Sequence, residues 1–333
     1  MPVSVVWALD FVCQSAIALK WLGDRLTLPL IVEHKELYWN IHFVSLVRLR
    51  SFPNLKLPRD FNDRMRWLML FDQDPKIVQL ADKVGVRGYV RERLGEDHLV
   101  PIVSWGPVPA TVLQGLPSGR FMVKTNHDSG GVEILEGADD AVVSGLVKAL
   151  AQKLERPYGF GKGEWHYRWI DPLVLVEEFI VQEGAQPDGL QDFKFHCSEG
   201  KVKFAQVLSK NNGFDYESVF DHNGRLLKHQ LNSKKKRVAQ EIAPEVWREL
   251  KTTAETLAEG LTYVRVDLYW TGKKVLFGEM TFFPMAGLYR GEGQKHLGAL
   301  LDFKLTMSTY PVYKTFLPQR VGDTGIEPVT SSV

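Results

Sequence analysis

Two strand-like runs on either side of a short polar turn constrain this chain more than any other feature. Val264-Arg-Val-Asp-Leu-Tyr-Trp270 and Lys274-Val-Leu-Phe-Gly-Glu-Met-Thr281 flank Thr271-Gly272-Lys273, the pattern of a β-hairpin. Such a hairpin sets Asp267 and Glu279 on neighbouring strands, where both carboxylates can point into one pocket. Thr281 shares a strand face with Glu279, and Arg265 shares one with Asp267, because side chains alternate with a period of two. Two carboxylates so placed suit Mg²⁺ held on a nucleotide's phosphates, since this ion keeps several waters and takes few protein ligands. The hairpin therefore points to a chain that uses ATP.

The remaining bulk properties narrow the partners. A length of 333 residues allows a large core and about two domains. The 41 basic and 40 acidic side chains leave a formal charge of +1, so no global field favours nucleic acid or an anionic membrane. Cys13 and Cys197 are too few for a disulfide scaffold and accord with a reducing cytoplasm, the expected location. Asp10, Lys20, Asp24 and Arg25 interrupt the apolar start before any run nears the roughly 20 residues of a spanning helix. No basic residue precedes Val3–Ala8, so a signal peptide is not expected either. The last stretch, 321–333, lacks periodicity and is rich in Gly, Ser and Thr, which predicts a disordered tail.

Periodicity predicts an α+β organisation. Helices are expected across 59–98, with Asn62 capping the first, Pro75 opening the next and Gly95 ending a charged amphipathic segment from Val86. Short β runs follow at Val100–Ser104, Arg120–Lys124 and Val132–Leu135, then a helix over 138–154. A second unit is expected to open at the apolar run Leu173–Ile180 and to continue with Asp192–Cys197, Val202–Leu208, a helix over 244–258 and the hairpin. Strands followed by helices without strict alternation argue for antiparallel sheets. The divisions read as an uncertain extension at 1–54, a helical leading region at 55–98, one subdomain at 99–172, a second at 173–308 and a tail from 309. The basic run Ser233–Arg237 reads as a solvated loop, because it carries no interleaved aromatic residues.

A second chemical signature precedes the hairpin. Phe121-Met-Val-Lys124 leads into Thr125-Asn-His-Asp-Ser-Gly-Gly131, which puts a lysine at a strand end beside a small-residue loop. Glycines let backbone N–H groups approach phosphate oxygens, and the ammonium supplies a compact positive charge. The run matches neither the Walker pattern nor the dinucleotide fingerprint, so another nucleotide fold is required.

The ordered set Asp82-Lys83, Val123-Lys124 with Asn126–Gly131, Glu177-Glu178-Phe179, Asp192-Phe-Lys194, Val264–Asp267 and Gly278–Pro284 resembles the ATP-grasp superfamily. Within it the chain is most similar to the TupA-like amidoligases of surface-polysaccharide gene sets, over roughly residues 55 to 305. The resemblance implies the ATP-grasp fold, two α+β subdomains with antiparallel sheets clasping ATP, behind a small helical region. It implies that Lys83 and Lys124 touch phosphates while Ser129, Gly130 and Gly131 close over them. Glu177, Glu178, Phe179 and Ile180 would form the adenine hinge, and Glu183 or Asp188 would hold the ribose. Asp267, Glu279 and Thr281 would bind Mg²⁺, with Arg265 stabilising a developing oxyanion and Lys194 contacting phosphate or substrate. The implied chemistry is ATP-dependent amide formation from a carboxylate and an amine through an acyl phosphate, in polysaccharide or teichuronopeptide-like polymer synthesis.

Two departures from the superfamily pattern bear on this. Thr281 stands where many relatives carry Asn, and a hydroxyl reaches less far than an amide oxygen. Asp128 puts a carboxylate in the phosphate loop, where it repels phosphate or binds an amine. These departures motivate an alternative, a non-catalytic ATP-binding module of a polysaccharide-assembly system. Each residue also has an ordinary reading taken singly, such as an Arg265–Asp267 ion pair. His127 and His196 read as polar loop or strand residues, and Trp165, His166 and Tyr167 as packing residues.

Overall fold

A computed structural model describes residues 35–304, apart from 130, 138–139, 157, 182–190 and 212–213. Cys13 and the expected tail therefore lie outside the described residues, as do Gly130, Glu183 and Asp188. The leading region comprises α1 (Lys35–Leu49), α2 (Phe61–Phe71), α3 (Lys76–Ala81) and α4 (Val86–Leu94). Helix α1 falls where the sequence suggested no element. It buries Tyr38, Ile41, His42 and Ser45 along one face, at helical spacing. Asp60 rather than Asn62 caps α2, its carboxylate accepting a 2.8 Å bond from the Asp63 N–H. Asn62 lies inside the helix, buried, and pairs with the backbone of Tyr289 in both directions at 2.8 and 3.1 Å. Helix α4 stops at Gly95, whose φ of +91° suits glycine.

A four-stranded antiparallel sheet follows, built from β1 (Ile102–Gly106), β2 (Arg120–Thr125), β3 (Val132–Glu136) and β4 (Val174–Glu178), in the order β1-β4-β2-β3. Helices α5 (Pro109–Leu113) and α6 (Asp140–Leu154) cover one side, over a core of Val112, Phe121, Val123, Leu150, Val174 and Val176. Strand β4 corrects the expected boundary at 172/173. It lies between β1 and β2 in the first sheet, with Phe121 paired to Glu178 and Thr125 to Val174, instead of opening the second unit. The cause is its composition: Val174, Leu175, Val176 and Glu177 are all buried, the signature of an interior strand covered on both faces.

The larger sheet contains β5 (Asp192–Ser198), β6 (Lys201–Asn211), β7 (Phe214–Asp221), β8 (Lys236–Arg237), β9 (Tyr263–Trp270) and β10 (Val275–Thr281), in the order β10-β9-β5-β6-β7-β8. Its pairs are antiparallel except β7–β8. That short strand uses part of the basic run read as a solvated loop, and Lys235 there reaches Asp215 at 3.5 Å. Glu199 and Gly200, with φ of +51° and +72°, turn β5 into β6. Alternation gives the sheet two unlike faces. Phe193, Phe195, Cys197, Ala205, Val207, Val264, Val266 and Leu268 are buried on one side beneath α7 (Pro244–Ala258), whose Trp247 ring lies 5.3 Å from that of Phe195. Asp192, Lys194, His196, Gln206, Glu217, Arg265 and Asp267 share the other side, partly covered by α2 and by α8 (Gln294–Leu300). Among the described residues no helix is long and apolar enough to cross a membrane.

Leu250 of α7 is fully buried against the apolar face. Leu250→Ala is expected to lower stability by about 3 kcal/mol, through lost transfer energy and the cavity left behind, as measured by urea unfolding.

Candidate active site

Glu279 reaches the polar face only because the ladder slips by one residue. Phe277 pairs with Leu268 and Glu279 with Asp267, so Gly278 is an extra residue in β10, a bulge. Without it, strict alternation would turn Glu279 toward the same side as Phe277, beneath α7. Glycine eases the fit there: a Cβ at 278 would stand 3.0 Å from the Asp267 carbonyl oxygen and 3.0 Å from the Tyr269 ring, so either would have to give way by a few tenths of an ångström. Thr281 then pairs with Arg265, and Lys194 of β5 sits opposite Asp267 on its other flank.

The guanidinium of Arg265 gathers this group. Its Nε donates to Asp267 Oδ1 at 2.6 Å, and its Nη2 donates to Asp267 Oδ2 at 2.7 Å, to Glu279 Oε1 at 2.9 Å and to Thr281 Oγ1 at 2.9 Å. The Thr281 hydroxyl donates in turn to Glu279 Oε1 at 3.1 Å. Lys194 Nζ contacts Asp267 Oδ2 and lies 2.6 Å from Asp192 Oδ2. The ordinary ion pair between Arg265 and Asp267 thus exists and forms part of a larger network. Asp267 is 1% exposed at its side chain, whereas Glu279 is 31% exposed and faces the cleft. Burial pushes the Glu279 carboxyl up, but the charges of Arg265, Lys83 and Lys194 outweigh it and hold the pKa at about 2. Burial likewise works against the Lys194 ammonium, and Asp192 and Asp267 reverse it, raising its pKa above the ordinary range.

The first sheet and its loop form the opposite wall. Lys124 Nζ lies 2.5 Å from Glu177 Oε2, and Arg87 Nη1 approaches Glu177 Oε1 at 3.4 Å. Glu177 is therefore buried between two cations, a setting that fixes Lys124. Lys83 Nζ donates to the Asp128 carbonyl oxygen. Burial lowers the Lys83 pKa against the pull of Glu279 and Asp128, and Lys124 lies within the same electrostatic reach. Lys83 thus ties the two walls to one cleft. A Cβ on Gly131 would stand 2.6 Å from Asp128 Oδ2, so a side chain there would have to displace the Asp128 carboxylate. Ser129 Oγ lies 2.6 Å from the Tyr158 hydroxyl. At the end of β4, Glu178 is exposed, the Phe179 ring lies 3.9 Å from the Arg120 guanidinium carbon, and Ile180 is half-buried.

The sequence reading missed three residues that hold this wall. Asn126 accepts a 2.7 Å bond from the Leu173 N–H, and its amide donates to Asp82 Oδ1 at 2.9 Å and to the Asp171 carbonyl at 3.0 Å. It clamps the loop after β2 to the start of β4 and to the α3–α4 turn. Arg87 and Tyr158 act from segments whose spacing carries no chemical signal. His166 and Tyr167 are buried among aromatic rings, as a packing role requires. His196 is buried too, its ring nitrogens 2.8 Å from Tyr263 Oη and 2.8 Å from Gln206 Oε1.

Among the described residues no three His, Cys, Asp or Glu side chains converge as a metal cage. The donor set is instead two carboxylates and a hydroxyl, with Glu279 ionised and facing the cleft. Hard oxygen donors in that number fit Mg²⁺, which brings water and phosphate ligands with it.

The chain belongs to the TupA-like ATPgrasp family, whose model matches residues 63–301. No curated protein matches it by sequence. Solved structures similar to it include the D-alanine–D-alanine ligase of Bacillus anthracis complexed with ATP, at 13% identity and a TM-score of 0.36, covering 62% of this chain and 55% of that one. The ATP-grasp ligase PsnB complexed with minimal precursor aligns at 15% identity and 0.36, covering 69% and 61%. The D-alanine–D-alanine ligase of Helicobacter pylori aligns at 15% identity and 0.36, covering 67% and 61%. The chain thus spans a little over half the length of these neighbours.

Replacing Asn126 by Ala would leave the buried Leu173 N–H without its acceptor. A loss of about 1–3 kcal/mol in urea unfolding is expected.

Proposed function

We propose that the chain is an ATP-dependent carboxylate–amine ligase that works through an acyl phosphate and modifies a cell-surface polysaccharide or teichuronopeptide-like polymer. The observation that carries the ligase reading is the gathering of Asp267, Glu279 and Thr281 around Arg265, across a cleft from Lys83 and Lys124. Asp267, Glu279 and Thr281 would hold Mg²⁺, and the ion would neutralise charge on the phosphoryl oxygens of bound ATP. Lys83 and Lys124 would grip the triphosphate, with Ser129 and Gly131 shaping the loop above it. Glu178, Phe179 and Ile180 stand at the strand end expected to receive adenine, while Glu177 orients Lys124. Arg265 would stabilise the oxyanion formed when the amine attacks the acyl carbonyl. Lys194, held between Asp192 and Asp267, would keep Asp267 charged and in place.

One observation favours the second reading, a non-catalytic ATP-binding module: the Asp128 carboxylate leans over Gly131, where phosphate oxygens would lie. Purified protein supplied with Mg-ATP and an acceptor panel of amino acids and uronic acids separates the two. The ligase reading expects ADP and phosphate release only when both a carboxylate and an amine are present. Arg265→Met should slow turnover roughly 100-fold, the loss typical of an oxyanion donor, and Glu279→Ala should abolish it. Thermal stabilisation by Mg-ATP without turnover on any acceptor would favour the module, and amide formation without ATP would overturn both.

A further inference from the structure

Gly278 leaves a gap in the wall of the cleft, and the ring of Tyr269 closes it. Arg265, Asp267 and Tyr269 alternate along β9 on the polar face, with Val266 and Leu268 turned to the α7 side. Tyr269 pairs with Leu276 of β10 and with Asp192 of β5. Its ring leans across the bulge, where Cε2 and Cζ lie 3.0 and 3.2 Å from the place a Cβ of residue 278 would take. Arg265 and Asp267 are buried, whereas Tyr269 is only half-buried, so part of the ring stays open on a face otherwise given to ion pairs. A ring left open beside charged groups offers a flat apolar surface to a ligand.

Strand pairing fixes which part of a ligand would meet that surface. From Glu279, β10 runs back through Gly278 to Phe277, and β9 runs the same way from Asp267 to Tyr269. Phe277 bridges to Leu99, the start of a short connector. Its Val100 carbonyl accepts from Arg87 Nη2 at 2.7 Å, and its Pro101 carbonyl accepts from the Glu178 N–H at 3.1 Å. The connector thus joins the stretch beside Gly278 to the end of β4, where Glu178, Phe179 and Ile180 lie. The Phe179 N–H in turn donates to the Arg120 carbonyl at 3.3 Å, while Lys124 pairs with Leu175. Arg120 and Lys124 stand four residues apart on β2, a span of about 13 Å. The cation-rich end of the cleft and the Phe179 end are therefore well separated, and Tyr269 lies on the side of the second.

We propose that Tyr269 is the floor of the nucleobase site, its ring packed against the base of bound ATP across the space that the missing side chain of Gly278 leaves free. The assignment rests on the ATP reading of the cleft and gives it a residue from the larger sheet. Strand β9 then serves both ends of the nucleotide, with Asp267 toward the metal and Tyr269 toward the base. Gly278 serves twice as well, since the slip that turns Glu279 to the cleft also makes room for the ring. Every base has a π-face, so Tyr269 supplies affinity without choosing among bases.

Calorimetric titration of the full chain with Mg-AMPPNP and, separately, with magnesium tripolyphosphate tests the assignment, because the second probe carries the phosphates without a base. Tyr269→Ala is expected to weaken Mg-AMPPNP about 10-fold, the loss of one base–aromatic stack, and to leave tripolyphosphate within about twofold. Tyr269→Phe keeps the ring and should bind Mg-AMPPNP within about twofold of wild type. Tyr269→Leu keeps most of the volume without the ring and should lose about 3-fold or more, which carries the test if the Ala protein does not fold. Unchanged Mg-AMPPNP affinity on removal of the ring would overturn the proposal. So would equal weakening of both probes, which would mark the ring as a support of the strands. Wild type binding tripolyphosphate as tightly as Mg-AMPPNP would leave no base site and overturn the assignment while the phosphate reading stands. Wild type binding neither probe would overturn the ATP reading, and this assignment with it.

Discussion

One extra residue in β10 decides which side of the large sheet carries chemistry. Phe277 and Glu279 are two positions apart and would share a face in a regular strand, yet Phe277 lies beneath the α7 side and Glu279 faces the cleft. Glycine suits the slip, because the Asp267 carbonyl and the Tyr269 ring press close to where a Cβ at 278 would stand. Everything assembled on the polar face, from the Asp267–Glu279 pairing to the position of Thr281, follows from that phase change. The apolar face gains as well, since the same slip returns Met280 to the core opposite Val266.

The polar network then solves an electrostatic problem. Two carboxylates side by side repel each other, and burial makes each costly to ionise. Arg265 bonds both at once, with Lys194 adding a second cation on the flank of Asp267 and Lys83 a third acting on Glu279. The outcome differs between the two: the cations hold the Glu279 carboxyl down, whereas burial outweighs Arg265 and Lys194 at Asp267 and raises its carboxyl above the ordinary range. Arrival of a divalent ion with a polyanion would exchange one set of compensating charges for another, with little change in net charge in the cleft.

Much of this was legible in residue order. The ends of α4 and α7, the β5–β6 turn and the two strands β9 and β10 fall within a residue or two of where periodicity and turn chemistry put them. Local patterns carry that information because they depend on neighbours in sequence. What was not legible depends on neighbours in space. Nothing in Leu173–Glu178 says which sheet it joins; its pairing with β1 and β2 does, and that assigns β4 to the first sheet. Asn62 looks like a cap until Tyr289 claims its amide, and Asn126 looks like one more loop polar group until Leu173, Asp171 and Asp82 converge on it. Arg87 carries no motif, and its significance comes from Glu177 and the Val100 carbonyl, which meet it after folding.

The hydrogen bond between the Ser129 and Tyr158 hydroxyls joins two walls that are otherwise separate in sequence. Ser129 follows Asp128, whose carbonyl accepts from Lys83, and Tyr158 precedes the segment in which Lys162 and Glu164 both donate to the Gly159 carbonyl. Any rearrangement of that loop must either break this link or pull on the segment.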